Sequence, residues 1–223
     1  MGFGAAAKLA AVFLVSMFLF RSCDHPPGGD ETSSPAILLP EKDLRSLSLE
    51  TLEIIWPQAL DGATTGQAKF RVSVDRSGQV QEVLPLETAN ERTNDSAVRQ
   101  IMKWKFKPLV RDGVPLEAES ILEFSLNTRA FGPREPLPDE EARKLASNIV
   151  GPVLPVGSFP SGTTSSMRAA IDSEGYLIEV IAGDGPTDLF FPCYEALKKW
   201  HFHPIMQDGQ PRPYRAEITF RVP

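Results

Sequence analysis

The sequence predicts an α+β chain in which one unit, strand–turn–strand–helix–turn–strand, is used twice. Three observations carry this. Trp104-Lys105-Phe106-Lys107-Pro108 returns as Trp200-His201-Phe202-His203-Pro204. Each Trp-x-Phe-x-Pro is followed by an Asp-Gly pair, Asp112-Gly113 or Asp208-Gly209, and then by a last alternating run. Each is preceded, 26 and 25 residues earlier, by the glycine of a short turn: Gly78 in Val74-Asp75-Arg76-Ser77-Gly78, and Gly175 in Ile171-Asp172-Ser173-Glu174-Gly175. A repeat at a spacing of about 97 residues divides the 223-residue chain before any single element is assigned.

The amino terminus stands apart from the repeat. Leu9 to Phe20 is apolar apart from Ser16, with Lys8 before it and Arg21 after it. A positive start and a short apolar run are the layout of a secretory signal. Counted from Gly2, with Lys8 reaching the headgroups, the segment is also just long enough to span a membrane. No small-x-small cleavage site follows it, which favours a retained anchor over a cleaved signal. Lipidation of Cys23 is a third reading, although Phe20-Arg21-Ser22 places Arg where a small or apolar residue is expected. All three put residues 24–223 outside the cytoplasm, and Asp24, Asp30 and Glu31 agree with an exported side. Residues 1–22 are thus a signal sequence or membrane anchor, and 23–38, rich in Pro, Gly and Ser, a short flexible linker.

The first unit, 39–128, opens with a brief helix at Leu39-Pro40-Glu41, where Pro suits the first helical position and acids favour the dipole. In Ala68 to Val74, Phe70, Val72 and Val74 alternate with Lys69, Arg71 and Ser73, the pattern of a half-buried strand. Asp75 to Gly78 is a tight turn, and Gln79 to Leu84 returns until Pro85 ends regular pairing. Thr93 or Asn94 caps the next helix. Ala97, Ile101 and Trp104 share its buried face, while Arg99, Gln100 and Lys103 look outward. After Phe106 and the turn Asp112-Gly113, a last strand runs over Leu116–Leu126.

Residues 129–136 form a linker broken by Gly132, Pro133 and Pro136. The second unit, 137–223, repeats even the lead-in, Leu137-Pro138-Asp139 matching Leu39-Pro40-Glu41. Its hairpin turn carries Asp172 and Gly175. Its helix places Cys193, Leu197 and Trp200 where the first has Ala97, Ile101 and Trp104, with Pro192 in the first turn. Phe202 follows, then Asp208-Gly209, and Arg215–Val222 is the last strand. The core of both units is therefore expected at Ala97, Ile101, Trp104, Phe106, Cys193, Leu197, Trp200 and Phe202. The turns are expected at Asp75, Gly78, Asp112, Gly113, Asp172, Gly175, Asp208 and Gly209.

The order and spacing of these motifs, met twice, resemble the TonB family carboxy-terminal domain. In that pattern a strand, a D-x-x-G turn and a second strand lead to a helix ending A-x-x-x-Φ-x-x-W-x-Φ-x-P, with Φ apolar, then D-G and a last strand. The resemblance covers about 60 residues of each unit. It implies two tandem ββαβ modules, each a three-stranded antiparallel sheet with helices packed on one face. It implies a protein-binding role in the bacterial envelope, with an extended peptide of an outer-membrane transporter or another envelope protein added to a free sheet edge. The edge it implies is the last strand of each module, at Leu116, Ala118, Ser120, Leu122, Ala216, Ile218 and Phe220. Two features separate this chain from an energy-transducing member. Only about 15 residues lie between Cys23 and Leu39, a reach of roughly 50 Å. The apolar run holds Ser16 with Phe20 four residues on, where the family carries Ser-x-x-x-His. The inner membrane is met through the amino-terminal segment. The competing expectation is a structural, self-associating protein whose modules pair edge to edge or form a homodimer.

Composition narrows the remaining classes. Without residues 1–22, 21 basic side chains face 29 acidic ones, a net charge of −8, whereas nucleic-acid binding needs a basic stripe. Two cysteines, Cys23 and Cys193, make neither a disulfide framework nor a zinc set. No phosphate loop or nucleophile elbow occurs. His201 and His203 fall on one side of an extended segment, but the first unit has Lys105 and Lys107 there, so both positions read as exposed and polar. Neither an enzyme, a metal nor a cofactor is expected.

Overall fold

The two repeated turns are each closed by their aspartate. The Asp75 carboxylate accepts the amides of Ser77 (2.8 Å) and Gln79 (2.9 Å), and Asp172 accepts those of Glu174 and Tyr176, both at 2.9 Å. Desolvation works against the charged Asp75, but the bonds from Ser77, Gln79 and Gln81 outweigh it and hold its pKa below the usual carboxylate range. The computed structural model describes residues 36–223, which fall within one compact unit. The apolar segment, Cys23 and the linker as far as Pro35 lie outside the described residues.

The chain is mixed α+β, mostly strand with few helices. In order, the elements are β1 (Ile37–Leu38), α1 (Glu41–Ser46), β2 (Thr65–Val74), β3 (Val80–Thr88), α2 (Asn94–Ile101), β4 (Leu109–Arg111), β5 (Val114–Leu116) and β6 (Ala118–Asn127). There follow α3 (Asp139–Leu145), β7 (Ala146–Ser147), β8 (Thr164–Ile171), β9 (Leu177–Ala182), α4 (Thr187–Leu197), β10 (His201–Phe202), β11 (Ile205–Gln207), β12 (Gln210–Arg212) and β13 (Tyr214–Arg221). One sheet has the order β1-β6-β2-β3 and another β13-β8-β9. In both, the last long strand pairs antiparallel with the first strand of the hairpin, and a helix lies between hairpin and last strand in the chain.

Burial follows the alternation. Phe70 and Val72 of β2 are buried against Ala97 and Ile101 of α2 and Leu122 of β6 in one core; Ala169, Cys193, Leu197, Tyr214 and Ile218 lie in the other. Trp104 and Trp200 are each buried in these cores, with Phe124 and Phe220 tilted against their rings at 5.6 and 5.5 Å. Phe106 and Phe202 are buried beside them. Burial is the main cause keeping the Cys193 thiol protonated: it pushes the pKa up, against a weaker pull from Ser165.

The two halves of the motif meet in space. The Phe106 amide donates to the Gly78 carbonyl at 2.8 Å, and Phe202 to Gly175 at 3.1 Å. Both glycines have φ of +89°, and a Cβ there would stand 2.0 Å from the Phe106 carbonyl oxygen or 1.7 Å from that of Phe202. Glycine is thus required twice over, by the backbone conformation and by the strand end that lies on it. At the Asp-Gly pairs all four residues, Asp112, Gly113, Asp208 and Gly209, have positive φ, as a two-residue hairpin loop demands. These loops join β4 to β5 and β11 to β12.

Several expectations are corrected. Leu116 ends the small hairpin, and the long strand begins at Ala118. Pro85 does not end pairing: a register shift at Lys69/Phe70 absorbs it and β3 continues to Thr88, as an outer strand allows. Thr93 does stand at the N-cap of α2 but makes no side-chain capping bond there; Asn90 caps the one-turn 3-10 helix that precedes it, its side chain accepting the Arg92 amide. Pro192 lies inside α4, whose start at Thr187 follows Pro186. Ile37 and Leu38 belong to the sheet instead of the linker, pairing parallel with β6.

Two outcomes follow from this geometry. Gly78→Ala is expected to destabilise the chain by about 1–3 kcal/mol or more, from strained backbone and displacement of the Phe106 carbonyl, read from the denaturant midpoint. Tyr214 is fully buried and donates its hydroxyl to the His203 carbonyl at 3.1 Å, and burial raises its pKa. A phenol whose folded pKa is raised contributes stability in full below its unfolded value and loses it as pH rises. Stability is therefore expected to fall above about pH 10, and Tyr214→Phe to flatten that fall in alkaline melts.

Candidate functional site

The last strands do not offer open rims. Leu39 donates to the Glu119 carbonyl at 2.7 Å, and Ser120 Oγ donates to the Leu39 carbonyl at 2.9 Å. Further along β6, Glu41 Oε1 accepts the Glu123 amide at 3.1 Å and Arg45 Nη2 donates to the Glu123 carbonyl at 2.8 Å. The Trp56 indole then donates to the Ser125 carbonyl at 2.8 Å. The second half repeats the arrangement. Leu137 bonds Arg215 and Glu217, each at 2.8 Å, and Asp139 Oδ1 accepts the Thr219 amide at 3.1 Å while Arg143 Nη2 donates to its carbonyl at 2.6 Å. In each clamp the acid and the arginine stand four residues apart on one short helix and also bond each other. A carboxylate and a guanidinium together thus supply the acceptor and the donor that a neighbouring strand would present.

The expected binding edge is corrected accordingly. Ala118, Ser120, Leu122, Ala216, Ile218 and Phe220 are buried, and Leu116 lies in another strand pair. The physical reason is the lead-in helix itself, which caps the rim whose main-chain groups the edge would need. The repeated Leu-Pro-acid start carried the signal: its acid and the arginine four residues on recur in both units.

The opposite rims differ from each other. β3 has β2 as its only strand neighbour among the described residues, but it carries two register shifts, Pro85, and the charges of Glu82 and Glu87. Such features blunt an edge. β9 likewise has only β8 beside it, and it reads Leu177-Ile178-Glu179-Val180-Ile181-Ala182. Leu177, Ile178, Val180 and Ile181 are half-buried and Ala182 is exposed, with no proline or lysine among them and one acid, Glu179. Next to it runs a groove of about 260 Å³ lined by residues 176–180, Glu179 among them, and by Tyr194, Lys198 and Trp200.

The halves meet along a charged seam. Arg99, outward from its own core, lies 4.2 Å over the Tyr176 ring and bonds Asp172 at 2.5 Å and Glu174 at 3.0 Å. Lys103 also bonds Glu174, and Arg92 bonds Glu179. Burial lowers the Arg99 pKa, but Asp172 and Glu174 outweigh it and the net shift is upward. Asp172 is fully buried, while its counterpart Asp75 is half-buried at its turn. Gln100, the next outward position, bonds both the amide and the carbonyl of Ile55, which positions the unanticipated core residues Ile54 and Trp56.

Among the described residues no cluster of three or more His, Cys, Asp or Glu side chains is placed to hold a metal ion. The His201 ring instead meets Tyr176 edge-on at 5.1 Å. No protein-family model matches the chain, and no curated protein matches it in sequence.

Removing the guanidinium from this seam leaves the Asp172 carboxylate buried without its counter-charge. Arg99→Ala is therefore expected to cost about 3–5 kcal/mol. Arg99→Ala combined with Asp172→Asn is expected to cost clearly less than the sum of the two changes, in a double-mutant cycle of urea unfolding.

Proposed function

We propose that the chain is a protein-binding module of the bacterial envelope, made of two tandem ββαβ copies of the TonB carboxy-terminal type at 39–128 and 137–223. In this reading it recruits an extended segment of an outer-membrane transporter or another envelope protein by strand addition. The amino-terminal segment exports the chain or anchors it in the inner membrane, and energy transduction is not part of the role. The acceptor is β9, not the last strands. The observation that carries this is a mostly apolar rim with one strand neighbour among the described residues, its single acid Glu179 held by Arg92, beside an open groove. Main-chain groups supply the affinity and the groove supplies the selectivity.

A second reading is favoured by the same rim. β9 of one copy pairs with β9 of another, giving a homodimer with one continuous sheet and a structural role. The two are separable by experiment. Amide exchange of the full chain is expected to slow across residues 177–182 when peptides from the periplasm-facing segments of outer-membrane transporters are added. Ala182→Lys, which sets a charge at the exposed end of the strand, is expected to remove that protection without lowering the melting temperature. Protection already present without peptide, together with a dimer mass in sedimentation, favours self-association. A monomer whose 177–182 amides respond to no peptide sinks both.

A further inference from the structure

Segments 58–62 and 128–134 and the start of β13 enclose a cavity of about 430 Å³ at the junction of the two halves. Its lining includes Gln58, Thr128, Gly132, Arg129, Arg134 and Arg215, with no carboxylate among the lining residues. Seven arginines, Arg45, Arg71, Arg76, Arg92, Arg99, Arg143 and Arg168, have a carboxylate within ion-pair distance. Arg111, Arg212 and Arg221 have none among the described residues but stand apart from this cavity's lining, Arg212 lying over the Phe131 ring. Arg129, Arg134 and Arg215 have none among the described residues. Arg215 Nε is moreover a buried donor without a partner, a condition that calls for a missing acceptor. Arg129 spends only its Nε, on the Gly62 carbonyl at 3.1 Å.

The walls are set before any ligand arrives. Gly132 has φ of +85°, and a Cβ there would stand 1.9 Å from the Pro213 carbonyl oxygen and 2.7 Å from Gln58 Nε2. Gln58 in turn bonds the Phe131 carbonyl. Three unmatched guanidinium groups in an otherwise acidic chain concentrate anions locally.

We propose that this cavity binds a phosphomonoester, with the phosphate held by Arg129, Arg134 and Arg215. A single carboxylate is saturated by one guanidinium fork and brings one charge. A phosphomonoester brings about 1.5–2 negative charges and three terminal oxygens, which matches three forks. The volume lies in the range of small-ligand sites, about 300–1,000 Å³, so it holds a small organic body besides the phosphate. The site is independent of the β9 reading.

Calorimetric titration of the full chain with sodium phosphate, glycerol 3-phosphate and monomeric dihexanoyl phosphatidate tests it. Binding of glycerol 3-phosphate above inorganic phosphate is expected for a soluble ester, and preference for the phosphatidate assigns the phosphate to a lipid headgroup. Arg134 is exposed on its loop, so Arg134→Gln folds normally, and it is expected to weaken binding about tenfold or more. Arg111→Gln, away from the cavity, is expected to leave affinity unchanged. Absence of binding by all three probes at millimolar concentration overturns the proposal, as does equal binding by Arg134→Gln.

Discussion

Everything in each half depends on a contact between main chains. The Phe106 and Phe202 carbonyls rest against Gly78 and Gly175, and the amides of the same phenylalanines donate to the glycine carbonyls. This ties the end of the helix to the tip of the hairpin. With that distance set, Trp104 and Trp200 have one place to go, between helix and sheet, where each fills the core. A buried tryptophan of this kind carries about 3–5 kcal/mol, a large part of a small domain's stability. The spacing of the repeat is thus a closure constraint, since glycine, tryptophan and phenylalanine work only together.

The lead-in helices solve a different problem. A strand at the end of a sheet exposes main-chain donors and acceptors, and an extended neighbour is the usual cure. Here a few residues of strand, then an acid and an arginine four apart, cover the rim of β6 and again of β13. The arginines also lie over aromatic rings, Arg45 over Phe124 and Arg143 over Trp200, so each guanidinium is held from two sides. The outer strands β3 and β9 have no such clamp; β3 is blunted by Pro85 and its charges, and β9 is the basis of the functional reading.

Much of this was legible in the residues. Alternation in Ala68 to Val74 and the helical spacing of Ala97, Ile101 and Trp104 reflect burial on one face, and burial is what these patterns encode. The buried faces of Cys193, Leu197, Trp200 and Phe202 follow the same logic. Three things were not legible. Pro192 inside α4 and Pro85 inside β3 are placed by packing and a register shift that propensity does not see. The rim clamps depend on side chains meeting a strand some 80 residues away. Arg99 has the periodicity of a solvent-facing residue, and only the docking of the second half buries its partner Asp172. Long-range pairings of polar groups leave no period in a sequence.

The seam sets the two aspartate turns apart. Asp75 and Asp172 hold the same turn, yet only Asp172 is sealed from water, because a cation from the preceding copy reaches it. The two turns share a sequence pattern but not a setting: Arg99 of the first half neutralises Asp172, and among the described residues no cation of the second half does the same for Asp75. Without the first half, Asp172 would keep its turn but lose the guanidinium that neutralises it.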